Sequence, residues 1–305
     1  VTEIILKTTG VTKKYGQHKA LADVSIEIRR GMIYGLIGEN GAGKSTFMRA
    51  IMGLIETDTG TIELFGQHDT KGLQQARRKM GQSIEMPALY PELTARENLQ
   101  VQAANGGVDE TEIERLLTMM NLATTGRKHV KNFSLGMRQR LAIAVTLVTN
   151  PEFLILDEPT NGLDPAGIAE IREIILQLVN ERGLTVLISS HLLNELSLVA
   201  THYGILHHGR LIRELSKEQI AQESQQYIEI ELADAQAAIP ILDQMQIADY
   251  TVVDAQHINV YQHNQAVAQI NRALVLADIA VTRIGVTQQQ LEDYFLNLTG
   301  GEQLV

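Results

Sequence analysis

There is no cysteine among the 305 residues. Disulfides and thiolate metal sites are thereby excluded, and a reducing compartment is compatible with the chain. Long apolar runs are also missing. The longest, such as Leu141–Val148, fall far short of the ~20 residues that a bilayer-spanning helix needs. If the protein works at a membrane, something else must cross it. No basic-then-apolar stretch near the start suggests a signal peptide. Positive charge is in short supply: 26 Lys and Arg face 36 Asp and Glu, a net charge of −10. That argues against a nucleic-acid-binding surface as the main business. What remains is an ordinary apolar content of 44% and a length sufficient for a large core and more than one domain.

The most informative stretch is Gly38-Glu39-Asn40-Gly41-Ala42-Gly43-Lys44-Ser45-Thr46. It fits the pattern G-x-x-x-x-G-K-[ST]. Glycines at these positions let backbone N–H groups turn inward and cradle phosphate oxygens. Lys44 is a mobile point charge able to reach β- and γ-phosphates, and Ser45 offers a hydroxyl to Mg²⁺. Met32–Ile37 reads as a short buried strand before the loop, and Thr46–Met52 as a helix after it. Bound phosphates would then lie at a helix N-terminus.

Ahead of the loop, Glu3–Lys7 and Leu21–Ile28 read as strands around a turn at Tyr15-Gly16-Gln17. Tyr15 on that turn has a π-face on which a purine could stack. Beyond the first helix, Asp58–Gly66 reads as a turn and strand, and Gly72–Met80 as a basic amphipathic helix. Pro87 and Pro91 mark a loop leading from one subdomain to another. Helical patterning from about Thr94 to Asn150 suggests an inserted helical subdomain, about 86–150.

Two dense features follow. Ser134 stands where an N-cap is expected, opening a strongly apolar helix with Gly136 beside it; such a helix end can receive an anion. Phe153-Leu154-Ile155-Leu156 reads as a buried strand ending in Asp157-Glu158. Acids at the carboxyl end of a central parallel strand lie where ligands bind in such sheets. There Asp157 would hold Mg²⁺ through water, and Glu158 could polarise the attacking water. Asn161-Gly162-Leu163-Asp164-Pro165 is a tight turn that starts a helix. Leu184–Ser190 is a further buried strand ending at His191, placed to contact a terminal phosphate.

From about 221 the composition turns Gln-rich and acidic. The expected order is strand 227–232, helix 235–245 capped by Asp234, strand 250–253, strand 257–261, helix 265–277 and strand 279–284. A last helix is expected over 287–297. Pro240 counts against the first of these helices. The order β-α-β-β-α-β is the split βαβ arrangement, compatible with a ferredoxin-like fold. It shows no catalytic constellation, and His257 and His263 read as surface residues.

Taken together and in order, these motifs resemble the ATP-binding subunit of ATP-binding-cassette (ABC) transporters, over roughly the first 215 residues. Gly38–Thr46 is similar to the Walker A loop and Phe153–Glu158 to Walker B with its catalytic glutamate. Phe133-Ser134-Leu135-Gly136-Met137 resembles a degenerate L-S-G-G-Q signature. Asn161–Asp164 resembles the D-loop, His191 the switch histidine, and Tyr15 the aromatic that stacks on adenine. Two departures stand out. Leu135 and Met137 replace a signature Gly and Gln, while Ser134 and Gly136 remain. Glu85 stands where the family usually has a Gln that contacts Mg²⁺ and the membrane partner. Glu85, the Thr94–Leu99 stretch and the ending at Leu291–Thr299 resemble the branch that serves bacitracin-resistance and lantibiotic-immunity exporters.

The resemblance implies an α/β P-loop NTPase with a RecA-like core, a β-rich N-terminal subdomain and the helical insertion over 1–218. A small α+β domain would follow over 219–305. It implies Mg-ATP hydrolysis with Glu158, His191 and Lys44 as catalytic groups. Ser45, Asp157 and Glu85 would hold the metal. ATP would lie between Lys44, Ser45 and Glu158 of one protomer and Ser134 and Gly136 of a second, head to tail, with Tyr15, the rest of the 38–46 loop, Glu85, Met137, Asp157 and Asp164 also binding it. The implied partners are a second copy and an integral membrane permease, with no nucleic acid. The expected location is the cytoplasmic face of the cell membrane. Two alternatives share these motifs: a cytosolic mechanical ATPase and a nucleotide sensor that scarcely hydrolyses. Mg²⁺-dependent phosphate release separates the sensor from the enzymes.

Overall fold

The computed structural model describes residues 2–84, 89–106, 109–191, 193–223, 226–261 and 266–288. These divide into two compact units after Lys217.

The first unit opens with β1 (Ile4–Tyr15), β2 (His18–Val24), β3 (Glu27–Arg29) and β4 (Ile33–Ile37). There follow α1 (Lys44–Met52), β5 (Thr59–Leu64), α2 (Thr70–Arg77) and β6 (Met80–Ser83). The helical segment holds α3 (Ala95–Gly106), α4 (Glu110–Met119) and α5 (Leu135–Leu147). Then come β7 (Phe153–Leu156), α6 (Pro165–Arg182), β8 (Thr185–Ser190), α7 (Leu193–Ser197), β9 (His202–His207) and β10 (Arg210–Ser216).

Two sheets organise this unit. β1 pairs antiparallel with β2, β3 and β5. The second sheet runs β10-β9-β4-β8-β7-β6. Its five strands from β9 to β6 are parallel, and β10 lies antiparallel at one edge. Every residue of β4, β7 and β8 is buried, which is why those stretches read as continuous apolar runs rather than alternating ones. One core cluster spans both sheets and α1, with Ile5, Leu21, Leu36, Phe47, Phe153 and Leu187 among its members.

Local chemistry sets the helix ends. Asp69, Asp109, Ser134 and Asp164 cap α2, α4, α5 and α6 by accepting backbone N–H groups of the first turn. Pro165 occupies the first position of α6, where its missing N–H costs nothing, and Gly183 ends that helix at φ 64. The basic helix expected over 72–80 is α2, displaced toward the N-terminus because the Asp69 cap starts it earlier. Among the described residues no helix is long and apolar enough to cross a membrane.

The second unit is introduced by α8 (Lys217–Glu223) and contains β11 (Gln226–Leu232), α9 (Ala235–Gln244), β12 (Tyr250–Val252), β13 (His257–Val260), α10 (Val267–Leu276) and β14 (Val281–Gln288). Its antiparallel sheet has the order β12-β13-β11-β14. That is the strand order of a ferredoxin-like split βαβ fold. Ile228, Ile230, Ile258 and Val260 pack against Ala238, Leu242, Ile270 and Leu274 of the two helices. Pro240 sits inside α9. Its ring is on the exposed side, so the carbonyl it leaves unpaired meets water and the helix survives. Thr287 and Gln288, expected to begin a helix, pair with β11 as the end of β14. The rest of that expected helix lies outside the described residues, as does His263. Glu218–Glu302 carries twelve Asp and Glu, two Arg and no Lys, so the net charge of −10 resides there.

Candidate functional site

Because β4, β8 and β7 are parallel neighbours, the residues that follow them emerge at one edge of the sheet. The Gly38 loop follows β4, His191 follows β8, and Asp157-Glu158 follows β7. In sequence the loop lies more than a hundred residues before the two acids, and His191 lies 33 residues beyond Glu158. The order β4-β8-β7 brings them together.

The loop is shaped by its glycines. A Cβ on Gly38 would lie 2.2 Å from the Leu206 carbonyl oxygen, and one on Gly43 2.4 Å from that of Ala20. Gly43 also has φ 109 and serves as the N-cap of α1 without a side-chain hydrogen bond. The first N–H groups of α1 are therefore not claimed by a cap, and Ser45 and Thr46 stand half-buried in that turn. This is the geometry of an anion cradle. Glu39 keeps a buried carboxylate oxygen without a hydrogen-bond partner, while Asn40 and Gly41 are exposed and Ala42 is buried.

Lys44 is 5% exposed. Its Nζ donates to the carbonyls of Gly38 at 2.6 Å and Glu39 at 3.2 Å. It also lies 3.1 Å from Glu158 Oε1, a contact of charge without hydrogen-bond alignment. The other carboxylate oxygen, Oε2, is 2.7 Å from His191 Nδ1. With Glu158 ionised, Nδ1 carries the proton and donates it. Glu158 has φ 49, a left-handed conformation that is strained for a non-glycine residue. Lys44, Glu158 and His191 thus form one connected chain of charge.

Asp157 is held from below. Ser189 Oγ donates to its Oδ1 at 2.5 Å and accepts from the Glu158 N–H at 2.9 Å. Sequence reasoning alone does not single out Ser189. The signal was present in a hydroxyl near the end of an otherwise apolar strand, two residues before the histidine.

A second group converges on another cleft, of about 440 Å³. Ser134 and Gly136 at the start of α5 line it together with Gly162, Leu163 and Asp164. The Ser134 hydroxyl accepts from the Met137 N–H at 3.2 Å. Asp164 Oδ1 accepts from the Gly167 N–H at 2.9 Å. Tyr15 closes the β1–β2 hairpin opposite His18. It is 49% exposed, with the Lys13 ammonium 5.4 Å from its ring centroid. Glu85 lies outside the described residues.

A description of the ABC transporter family matches residues 21–161. The bacitracin transport ATP-binding protein BcrA of Bacillus licheniformis is 42% identical over 299 residues, 97% of this chain and 98% of that one. The lantibiotic transport ATP-binding protein SrtF of Streptococcus pyogenes is 44% identical over 210 residues, 69% of this chain and 90% of that one. Among solved structures, the ATP-binding cassette MJ0796 was captured as a dimer in a post-hydrolysis state with ADP and Pi. It aligns with a TM-score of 0.63 at 28% identity, covering 70% of this chain and 99% of that one. The likeness therefore extends from the sequence to the fold. The chain belongs to the ABC transporter family and is one of its ATP-hydrolysing subunits.

Proposed function

We propose that this subunit powers export of a peptide antibiotic or similar amphipathic compound through a separate membrane permease, acting as a homodimer with ATP between the protomers. The carrying observation is the Lys44–Glu158–His191 chain at the edge of β4, β8 and β7. It sets a cation, a carboxylate and an imidazole around one point beside a phosphate cradle. The substrate class rests on the match to the bacitracin transport protein, which extends through the second unit over 97% of this chain.

In this reading the 38–46 loop and Lys44 bind the β- and γ-phosphates of ATP, and Tyr15 stacks on the adenine. Glu158 orients the attacking water and draws its proton. His191 holds the Glu158 carboxylate through Nδ1 and reports the terminal phosphate. Ser134, Gly136, Met137 and Asp164 face the phosphates of the ATP held by the partner. Positioning and electrostatics supply most of the rate in phosphoryl transfer. Mg²⁺ would be held by the Ser45 hydroxyl, the Asp157 carboxylate and Glu85, and when bound it neutralises charge on the phosphate oxygens. Among the described residues no group of three or more His, Asp or Glu forms a metal cage. The two carboxylates named for the metal, Asp157 and Glu85, suit Mg²⁺, which is usually bound through one or two carboxylates plus substrate phosphates.

The subunit sits at the cytoplasmic face of the membrane through the permease. The lysine-free, strongly acidic second unit would be repelled by anionic lipid. The deciding experiment is purification of the Glu158→Gln protein from solubilised membranes with ATP and Mg²⁺. A polytopic membrane protein in stoichiometric amount is the expected companion. Recovery of soluble partners alone, such as ribosomal proteins, would replace this reading with that of a cytosolic mechanical ATPase.

A further inference from the structure

We propose that Ser189 is a positioning residue for ATP hydrolysis, one hydroxyl that fixes both Asp157 and Glu158. The inference rests on the acid-pair reading above and goes beyond it. Every residue of β8 is buried, and Ser189 is 0% exposed. A hydroxyl in such a place costs stability unless its hydrogen bonds are made. Here it makes two that point in chemically opposite directions. It donates its only proton to Asp157 Oδ1 at 2.5 Å and accepts the Glu158 N–H at 2.9 Å.

The need for this link follows from where β7 stops. The ladder between β7 and β8 ends at Leu156 opposite Ile188. On the far side, the Asp157 N–H still reaches the Ser83 carbonyl at 2.9 Å. The next N–H, that of Glu158, belongs to a residue at φ 49 and points back toward β8. The Ser189 hydroxyl takes the place of a ladder carbonyl and holds that turn. The Glu158 carboxylate then falls between Lys44 Nζ and His191 Nδ1. The same hydroxyl occupies one oxygen of Asp157, which fixes the rotation of the carboxylate and leaves its other oxygen for the metal. Fully buried, Ser189 acts through the two acids that it bonds.

The test compares Ser189→Ala, Ser189→Thr and Ser189→Val in the full chain, with Glu158→Gln alongside. Misplacing catalytic groups by about an ångström costs up to ~100-fold. Ser189→Ala is accordingly expected to lower kcat by about 10- to 100-fold while ATP affinity stays within about threefold. The Mg²⁺ concentration for half-maximal activity should rise as Asp157 loosens. Ser189→Thr keeps the hydroxyl and should recover turnover, whereas Ser189→Val, of the same shape, should not. A purely structural role would shift the melting temperature without separating Thr from Val in kcat. If the two larger side chains do not fold in this buried position, the kcat and Mg²⁺ dependence of Ser189→Ala decide alone. Wild-type values for both in Ser189→Ala, beside an inactive Glu158→Gln, would overturn the role of Ser189 and leave the acid pair intact. A fully active Glu158→Gln would overturn the acid pair and this inference with it.

Discussion

Replacing Glu158 by Gln removes one charge and almost no volume, and the contacts of the carboxylate show what that charge holds. Its carboxylate lies 3.1 Å from Lys44 Nζ and 2.7 Å from His191 Nδ1, with side chains 5% and 19% exposed for Lys44 and Glu158. At that separation an effective dielectric of ~20 gives an attraction of about 5 kcal/mol, most of it offset by desolvation. A net of roughly 1–2 kcal/mol is the scale left for a charge-assisted contact of this kind. Lys44 does not become an orphan in the variant, because the Gly38 and Glu39 carbonyls still hold it. An incoming ATP then no longer competes with Glu158 for Lys44 and no longer faces its negative charge. Affinity for ATP should therefore rise about 5- to 30-fold, the factor that corresponds to 1–2 kcal/mol. Turnover should move the other way. Loss of a general base costs about 10²- to 10⁴-fold. Calorimetry gives the affinity, phosphate release at saturating Mg-ATP gives the rate, and light scattering shows whether ATP holds a dimer. Tighter binding with lost turnover is a pattern that general damage to the fold does not produce. Undiminished hydrolysis would refute the role given to Glu158. Weaker binding would refute the competition for Lys44.

Three further outcomes follow from the same geometry. Lys44→Ala removes the buried cation beside the phosphate cradle and should weaken ATP binding by about 2–3 kcal/mol, of the order of 100-fold; titration with a fluorescent ATP analogue checks it, and wild-type affinity would remove Lys44 from the site. His191→Ala frees the Glu158 carboxylate from its Nδ1 partner and should lower kcat well before it alters ATP affinity; unchanged steady-state hydrolysis would return His191 to a structural role. In the second unit, a hydrogen bond to Asp254 raises the His257 pKa above 6.5, helped by Glu231 and Glu229. The group binds its proton more tightly when folded, so its contribution is complete below pH 6.5 and fades as pH rises through the raised value. A proton NMR titration of the ring should show a lower midpoint in Asp254→Asn, and the same midpoint in both proteins would refute the pairing.

The site was partly legible because some of its pieces are contiguous. The glycine loop, the run Phe153–Leu156 with its two acids, and the serine cap of α5 are each local patterns of a few residues. Their residue types already answer to backbone geometry, burial or an orphan N–H group. The same holds for the Asp caps of α6 and α9, and for the alternation that marks β11 and β13. Harder to read were features set by partners distant in the chain. Thr287 and Gln288 have the composition of a helix start, yet pairing with Tyr227 and Gln226 makes them strand. Pro240 speaks against a helix, but the neighbours of α9 bury its other face and let the helix stand.

The sequence alone determined which residues have the chemistry for phosphate, metal and water, and which strands are buried on both faces. Tertiary structure decided what each of those residues faces. Only the insertion of β8 between β4 and β7 puts His191 and Ser189 beside Glu158. Only the end of the β7–β8 ladder gives Ser189 an N–H and a carboxylate to bridge. The physical reason is that hydrogen bonds and ion pairs act over a few ångströms. Sequence order states nothing about such distances until the sheet has chosen its neighbours.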